Sequence, residues 1–149
     1  ETASIAQRLP HSTVLDLYAG TGSMGLEALS RGAEAATFVE QDRAALTALR
    51  ANIETVGLGG HVAAGDVDRF LERTNDEFDL VFVDPPYAVP LASLLETLAK
   101  VSSRLAQSGL AVVHRRRGEQ PPESIADLVL IEKREYGGAE LWRYAKEQQ

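Results

Sequence analysis

The sequence contains no cysteine, which excludes disulfide bonds and thiolate metal sites. This composition suits a protein that works in the reducing cytoplasm, and we expect a cytoplasmic location. No apolar run approaches the roughly 20 residues that a membrane-spanning helix needs, and the first residues show no secretory signal pattern. The three histidines, His11, His61 and His114, lack partners at ligand spacing, so no metal is expected.

Basic residues are also few. Lys and Arg number 15 against 22 Asp and Glu, which gives a formal net charge of −7. Proteins that bind nucleic acids contact phosphates through Lys and Arg, so the overall charge argues against such a function. The one dense basic run is HRRR, His114–Arg117. The remaining composition, 44% hydrophobic and 25% charged over 149 residues, fits one globular domain with a substantial core.

Short apolar runs alternate along the chain with segments of helical periodicity. The predicted strands cover residues 13–20, 35–40, 61–66, 78–84 and 109–116. Helices are predicted before residue 10, at 23–31, at 42–56, at 67–73 and along a stripe from Leu91 to Leu105 that Gly109 closes. Residues 127–146 read as a hairpin around Gly137-Gly138. Trp142 and Tyr144 alternate on its second strand and are expected to divide between core and surface packing.

The alternation of strands and helices predicts an α/β fold. A doubly wound, mostly parallel sheet with right-handed crossovers places helices on both of its faces. The terminal hairpin adds one antiparallel strand. In sheets of this kind, ligands bind beyond the carboxyl ends of the strands, near the point where the strand order reverses.

A glycine-rich turn follows the first predicted strand. Gly20, Gly22 and Gly25 fit the pattern G-x-G-x-x-G, and Glu40 lies twenty residues after Gly20. This spacing satisfies the fingerprint of a dinucleotide-binding site. Asp16, however, precedes the glycines on the same strand, and a carboxylate there would repel a pyrophosphate at the helix N-terminus.

A ligand with a positive charge suits this arrangement better. S-adenosylmethionine has an adenosine, a sulfonium and an amino group but no phosphate. Glu40 can accept hydrogen bonds from its ribose hydroxyls and Asp66 can accept one from the adenine amine. Taken singly, each acid is equally well explained as a turn cap. Four acids at the ends of successive strands, Asp16, Glu40, Asp66 and Asp84, are harder to explain in that way.

The fourth predicted strand ends in the letters DPPY, Asp84–Tyr87. Pro85 and Pro86 lack an N–H, so the backbone there is stiff and its carbonyls can accept. Together with the Asp84 carboxylate and the Tyr87 ring they can bind a planar amine, with two acceptors and a stacking face. Such contacts direct the nitrogen lone pair at the methyl group, and Asp84 stabilises the developing charge and can take the proton. The target base must be flipped out to reach this site.

The segments VLDLYAGTGSMGLEALSRGA, FVEQD, Gly65-Asp66, FDLVFVDPPY and EKREYGG resemble the RsmD family. Its members are class I methyltransferases that use S-adenosylmethionine to methylate the N2 amine of a guanine in 16S ribosomal RNA. The resemblance covers nearly the whole chain, so residues 1–149 are expected to form one catalytic domain with a Rossmann-like sheet of seven strands. It implies a catalytic group of Asp84, Pro85, Pro86 and Tyr87. It implies cofactor contacts at Asp16, Tyr18, Ala19, Gly20, Gly22, Met24, Glu40, Gln41, Asp66, Val67 and Asp84.

The substrate implied by this resemblance is 16S ribosomal RNA, within an assembling small subunit or free, bound by a monomer. Tyr87, Arg115 and Arg116 are the expected RNA contacts, although the arginines also fit a solvated strand end. Tyr136, before the Gly137-Gly138 tip, either lines the cleft or belongs to a plain hairpin turn. The family usually has an N-terminal segment with a basic β-hairpin and a helix that leads into the first strand, and this sequence shows only the tail of that helix. A missing basic segment would account for the net charge of −7.

Other functions fit parts of the sequence. The DPPY element is shared with adenine-N6 and glutamine-N5 methyltransferases, so it specifies the chemistry better than the substrate. A nicotinamide-dependent oxidoreductase would use the glycines and Glu40 but leaves DPPY unexplained. A binding module without catalysis is the third alternative.

Overall fold

The first strand forms where an apolar run is buried on both of its faces. In the computed structural model, which describes residues 4–147, β1 (Thr13–Leu17) has four buried residues out of five. It pairs in parallel with β2 (Ala35–Glu40) on one side and with β4 (Phe78–Val83) on the other. Burial on both faces is typical of central parallel strands, and it leaves only the strand ends free for a site.

The sheet has eight strands in the order β3-β2-β1-β4-β5-β8-β7-β6. The remaining strands are β3 (His61–Ala64), β5 (Leu105–Arg116), β6 (Ser124–Ile125), β7 (Leu128–Tyr136) and β8 (Ala139–Lys146). β1 to β5 run parallel, and β8 pairs antiparallel with both β5 and β7. The α/β fold, the mostly parallel sheet and the terminal hairpin are therefore confirmed.

The predicted number of seven strands is wrong. The eighth strand, β6, has two residues, which pair antiparallel with β7 through Ser124–Val129 and Ile125–Leu128. A two-residue strand is too short to show any periodicity in the sequence. Because β6 runs against β7, the sheet has two strands opposed to the parallel set, β6 and β8, where one was expected.

Five helices cover the sheet in the described residues: α1 (Ile5–Arg8), α2 (Ser23–Ser30), α3 (Arg43–Val56), α4 (Val67–Arg73) and α5 (Leu91–Arg104). α3 begins and ends as predicted, with the Asp42 carboxylate accepting from Ala45 N and Gly57 in the left-handed conformation. None of these helices is long and apolar enough to cross a membrane.

The last helix ends earlier than predicted. Leu105 is already extended, with φ −90° and ψ 134°, and begins β5. Gly109 lies in an irregular part of that strand, where the β4–β5 register shifts. A Cβ at Gly109 would lie 2.6 Å from Leu105 Cγ. The glycine therefore permits a close approach within the strand rather than ending a helix.

The core has one layer on each face of the sheet. One cluster gathers residues of α4, α5 and β8, and the other gathers residues of α2 and α3 around Phe38. Trp142 and Tyr144 are both fully buried in the first layer, so the expected division between core and surface is wrong. They pair with Val113 and Ala111 on β5, and residues two apart on a strand share a face.

Candidate active site

The glycine turn joins β1 to α2 and uses its three glycines differently. Gly20 has φ +59°, and a Cβ there would meet nothing within 4 Å. A Cβ on Gly25 would lie 2.4 Å from Phe38 Cε2, and one on Gly22 would lie 2.5 Å from Leu49 Cδ1. Gly20 thus permits the turn and leaves its surface open, while Gly22 permits a close approach to α3 and Gly25 a close approach to β2.

Asp16 lies beneath this turn and is 2% exposed. Its Oδ2 accepts a hydrogen bond from Gly25 N at 3.0 Å. Burial raises the pKa of Asp16 to about 7, and the charges of Asp84 and Glu40 act in the same direction, against the effect of the Gly25 hydrogen bond. The carboxyl groups at the ends of β1, β2 and β4 are therefore close enough to influence one another.

Glu40 is held in place by backbone groups at the end of β2. Its Oε1 accepts from Gly20 N at 2.7 Å, and its Oε2 accepts from Gln41 N at 3.1 Å and Asp42 N at 2.9 Å. A carboxylate has about four acceptor positions, so capacity for a ligand hydroxyl remains. The three bonds fix the carboxylate before any ligand binds.

Asp66 begins α4 at the end of β3. Its Oδ2 accepts from Arg69 N at 3.0 Å, which makes it the N-cap of that helix. The preceding Gly65 N donates to Glu40 O at 2.9 Å and ties the two strand ends together. Asp66 remains exposed, whereas the side chain of Val67 is buried.

The DPPY residues form a loop beyond β4. Asp84 is exposed, Pro85 is buried and Tyr87 is 45% exposed. Val89 N donates to the Pro86 carbonyl at 3.0 Å and closes a turn. The Pro86 carbonyl thus already has one partner within the loop.

One cavity joins these elements, with a volume of about 540 Å³. Ligand sites for small molecules measure roughly 300 to 1,000 Å³. Four carboxylates are among its lining residues, which are Tyr18, Val39, Glu40, Gln41, Asp42, Gly65, Asp66, Val67, Asp84, Pro85, Pro86, Tyr87 and Val89. A site of this charge favours a cationic ligand and disfavours a pyrophosphate.

The cavity brings together many of the residues that the sequence points to, but not all of them. Asp16, Ala19, Gly20 and Gly22 lie in or below the turn rather than in the lining. Met24 is half-buried against the second core layer and lies outside the cavity lining. It is the second residue of α2, and its expected contact with the cofactor stays a prediction.

Nothing in the sequence pattern pointed to several other residues that line the cavity. Val39 precedes Glu40 on a buried strand, and Val89 follows the DPPY letters as an ordinary apolar residue. The sequence pattern identifies Asp42 only as a helix cap. In the structure Asp42 is the N-cap of α3 and also lines the cavity. Its place two residues after Glu40, beyond the end of a parallel strand, was the available clue.

The two arginines expected to contact RNA lie in different environments. Arg116 is exposed, but Arg115 is completely buried. Its Nε and Nη2 donate to the Glu119 carboxylate, and Nη2 also donates to Val89 O at 2.6 Å. Because strand residues alternate between faces, Arg115 points into the protein, and the expectation that it faces RNA is corrected.

Tyr136 stands at the end of β7 and is 47% exposed. Partial burial raises its pKa, and the neighbouring Tyr87 and Asp84 act in the same direction. The hairpin tip therefore lies beside the DPPY loop. Arg117 fixes this tip, because its backbone N donates to Gly138 O at 3.0 Å and its Nη1 to Gly137 O at 3.2 Å.

Across residues 4–147, no group of three or more His, Asp or Glu side chains is arranged to hold a metal ion.

Comparison with known proteins gives consistent matches. A profile of the family described as Conserved hypothetical protein 95 matches residues 3–145. The chain is 37% identical over 128 residues to "Putative rRNA methyltransferase YlbH" of Bacillus subtilis strain 168, across 83% of this chain and 70% of that protein. It is 38% identical over 100 residues to Ribosomal RNA small subunit methyltransferase D of Escherichia coli strain K12, across 66% of this chain and 50% of that protein.

A solved structure shows the same architecture. The protein described as "Putative methyltransferase yhhF from Escherichia coli" superposes with a TM-score of 0.86 at 32% sequence identity. The superposition covers 97% of this chain and 81% of that one.

Proposed function

Because this chain belongs to the RsmD family of methyltransferases, we propose that it transfers a methyl group from S-adenosylmethionine to the N2 amine of a guanine in small-subunit (16S) ribosomal RNA. One observation carries the proposal. A single cavity joins Glu40 and Asp66, at the ends of β2 and β3, to Asp84–Tyr87 after β4. The proposed cofactor site and the proposed amine site would thus share one space.

The residues present fit the cofactor. S-adenosylmethionine carries a transferable methyl group on a positively charged sulfur. Glu40 is oriented to accept from the ribose hydroxyls, and Asp66 is exposed at the far end of the cavity to accept from the adenine amine. The open surface of Gly20 leaves room beside the turn, and Asp16 contributes negative charge beneath it.

The DPPY loop is suited to an exocyclic amine. Such a nitrogen is a poor nucleophile because its lone pair is delocalised into the ring. Asp84 and the Pro85 carbonyl would accept its two N–H groups and direct the lone pair at the methyl carbon, while Tyr87 stacks on the base. As the new nitrogen–carbon bond forms, the carbon–sulfur bond breaks, and Asp84 stabilises the positive charge and receives the departing proton.

The substrate class comes from the relatives. The Escherichia coli relative is named as a small-subunit ribosomal RNA methyltransferase, and the Bacillus subtilis relative carries an rRNA methyltransferase name. We extend this substrate to the present chain and propose that residues 1–149 act as one catalytic domain. The reaction would take place in the cytoplasm, on RNA of an assembling small subunit, with a monomeric enzyme.

Experiments can distinguish the proposed reaction from methylation of another amine and from a nicotinamide-dependent oxidation or reduction. Four carboxylates in the cavity would repel the pyrophosphate of a nicotinamide cofactor. Titration calorimetry should detect S-adenosylhomocysteine binding and no NADH binding. Purified enzyme should then methylate 16S RNA or small subunits at guanine N2, as mapped by mass spectrometry. Methylation of adenine, or none on any RNA, would contradict the proposed substrate.

Replacement of Asp84 tests the amine site. Asp84→Asn should keep S-adenosylhomocysteine affinity within about twofold and lose roughly 10²- to 10⁴-fold in turnover, as expected for a positioned polar group. Asp76→Asn, at an exposed acid outside the cavity, is the matched control and should behave as the wild type. Equal turnover in both variants would remove Asp84 from the mechanism.

A further inference from the structure

We propose that Arg115 is a positioning residue, which holds the 84–89 loop in the shape that the amine site requires. The link to catalysis rests on the proposed function, whereas the link to loop order rests on the contacts alone. The hydrogen bonds of Arg115 go to Glu119 and to Val89, and of these two only Val89 lines the cavity. Arg115 would therefore act on the reaction through the loop.

The contacts describe a clamp from one strand to the next loop. Arg115 lies near the end of β5, which is the direct neighbour of β4 in the sheet. Its Nη2 donates to Val89 O at 2.6 Å, beyond the turn that Val89 N closes on Pro86 O. The hydrogen bond to Arg115 joins the end of that turn to the sheet, and Asp84–Tyr87 lie between this attachment and β4.

Glu119 keeps the guanidinium in this orientation. The carboxylate accepts from Nε and, at 3.0 Å, from Nη2, so both of its oxygens bind the same fork. The Arg115 side chain is 1% exposed and that of Glu119 is 21% exposed. A fork held at two points can aim the second N–H of Nη2 at the Val89 carbonyl with little loss of conformational freedom.

Stability alone does not explain a buried arginine here. A buried ion pair is often no more stable than apolar residues of similar volume, because both charges lose their hydration. In addition, Arg115 Nη1 is buried and has no hydrogen-bond partner within residues 4–147, which is a further cost. Burial raises the pKa of the cavity residue Tyr18, and the charge of Arg115 opposes this, so the guanidinium lies near the cavity wall.

Amide hydrogen exchange tests the clamp without any substrate. In Arg115→Met, the Val89 amide should exchange about tenfold faster or more, because its turn loses the attachment to β5. Amides of β4 and β5 serve as internal references and should keep their wild-type rates. Arg31→Met is the matched control, since Arg31 also pairs with a glutamate four residues away but is exposed on α2. It should leave Val89 exchange unchanged.

Kinetics connect the loop to the reaction. Arg115→Met should lower kcat by about 10- to 100-fold, the effect of a small misplacement of reacting groups, with S-adenosylhomocysteine affinity kept within about twofold. Arg115→Lys keeps the charge and one donor, so it should recover part of the loop protection and part of kcat, and it also serves if the Met variant does not fold.

Two outcomes would overturn the inference. Wild-type Val89 exchange in Arg115→Met and Arg115→Lys would show that no clamp exists. Faster exchange spread equally over β4 and β5 would show that Arg115 only stabilises the fold. A wild-type enzyme that methylates no RNA, while Val89 exchange still depends on Arg115, would instead overturn the proposed function and leave the clamp in place.

Discussion

The Asp16 carboxyl makes folding sensitive to pH. Burial raises its pKa from the ordinary 3.8 to about 7. Between about pH 4 and pH 7 the folded protein therefore keeps a proton that the unfolded chain releases, so the free energy of unfolding falls as pH rises through this window. Each unit of difference between the two pKa values corresponds to about 1.4 kcal/mol.

Replacing Asp16 should remove this dependence. Asp16→Asn keeps an oxygen for Gly25 N–H but cannot ionise, so its stability should fall less than that of the wild type between about pH 4 and pH 7. Urea denaturation at several pH values measures the difference. Parallel stability curves for the two proteins would show that the Asp16 pKa is not raised.

Single residues also show what the sequence can and cannot predict. Glu40, Asp66 and Asp84 could be located because each lies within two residues of the carboxyl end of a strand, and parallel strand ends share one edge of the sheet. Arg115 could not be placed, because the letters HRRR do not show which arginine faces inward or that Glu119 follows in a turn. Inward and outward positions depend on strand register, which only the folded sheet fixes.

At the scale of elements, the start of α2 depends on how closely it approaches β2. A Cβ on Gly25 would lie 2.4 Å from Phe38 Cε2 and 3.2 Å from Asp16 Oδ2. The helix would have to move away from the sheet, and the Gly25–Asp16 hydrogen bond would lengthen. The glycine turn, and with it the Gly20–Glu40 contact, would move as well.

Gly25→Ala should therefore impair both folding and cofactor binding. We expect a loss of about 1 to 3 kcal/mol in the free energy of unfolding, as for other overpacked cores, and weaker S-adenosylhomocysteine binding by calorimetry. Gly138→Ala is the control, since a Cβ there meets nothing within 4 Å. If both variants are as stable as the wild type, the close contact with Phe38 does not limit the helix position.

Element boundaries were predictable where local chemistry sets them. Asp42 and Gly57 delimit α3 through a side-chain cap and a left-handed residue, both readable from the letters. The end of α5 could not be predicted from the sequence, because Leu105 joins β5 by pairing with Phe78, which is distant in sequence. Long-range pairing also creates β6, whose two residues have no pattern of their own.

For the whole molecule, the net charge of −7 conflicts with an RNA substrate. The acidic cavity would receive an uncharged base, so phosphate contacts must come from the surface around it. Arg116 is exposed at the end of β5, and Arg117 braces the neighbouring hairpin tip. A small set of basic residues at this edge would offset the overall charge locally.

A phosphate contact at Arg116 would contribute to the salt dependence of RNA affinity. Arg116→Met should weaken binding to 16S RNA and lower the slope of log affinity against log salt by about 1, the value for one lost phosphate contact. Arg50→Met, at an exposed position on α3, should leave the slope unchanged. Filter binding over a salt series measures both, and equal slopes in the three proteins would exclude Arg116 as a phosphate contact.

The direct pairing of β1 with β4 has a consequence for how the reactants meet. The glycine turn follows one of these strands and the DPPY loop follows the other, so the two segments leave the sheet one strand spacing apart, about 4.8 Å. For any ligand that contacts both segments, the distance it has to span would be fixed by the sheet and not by the length of a loop.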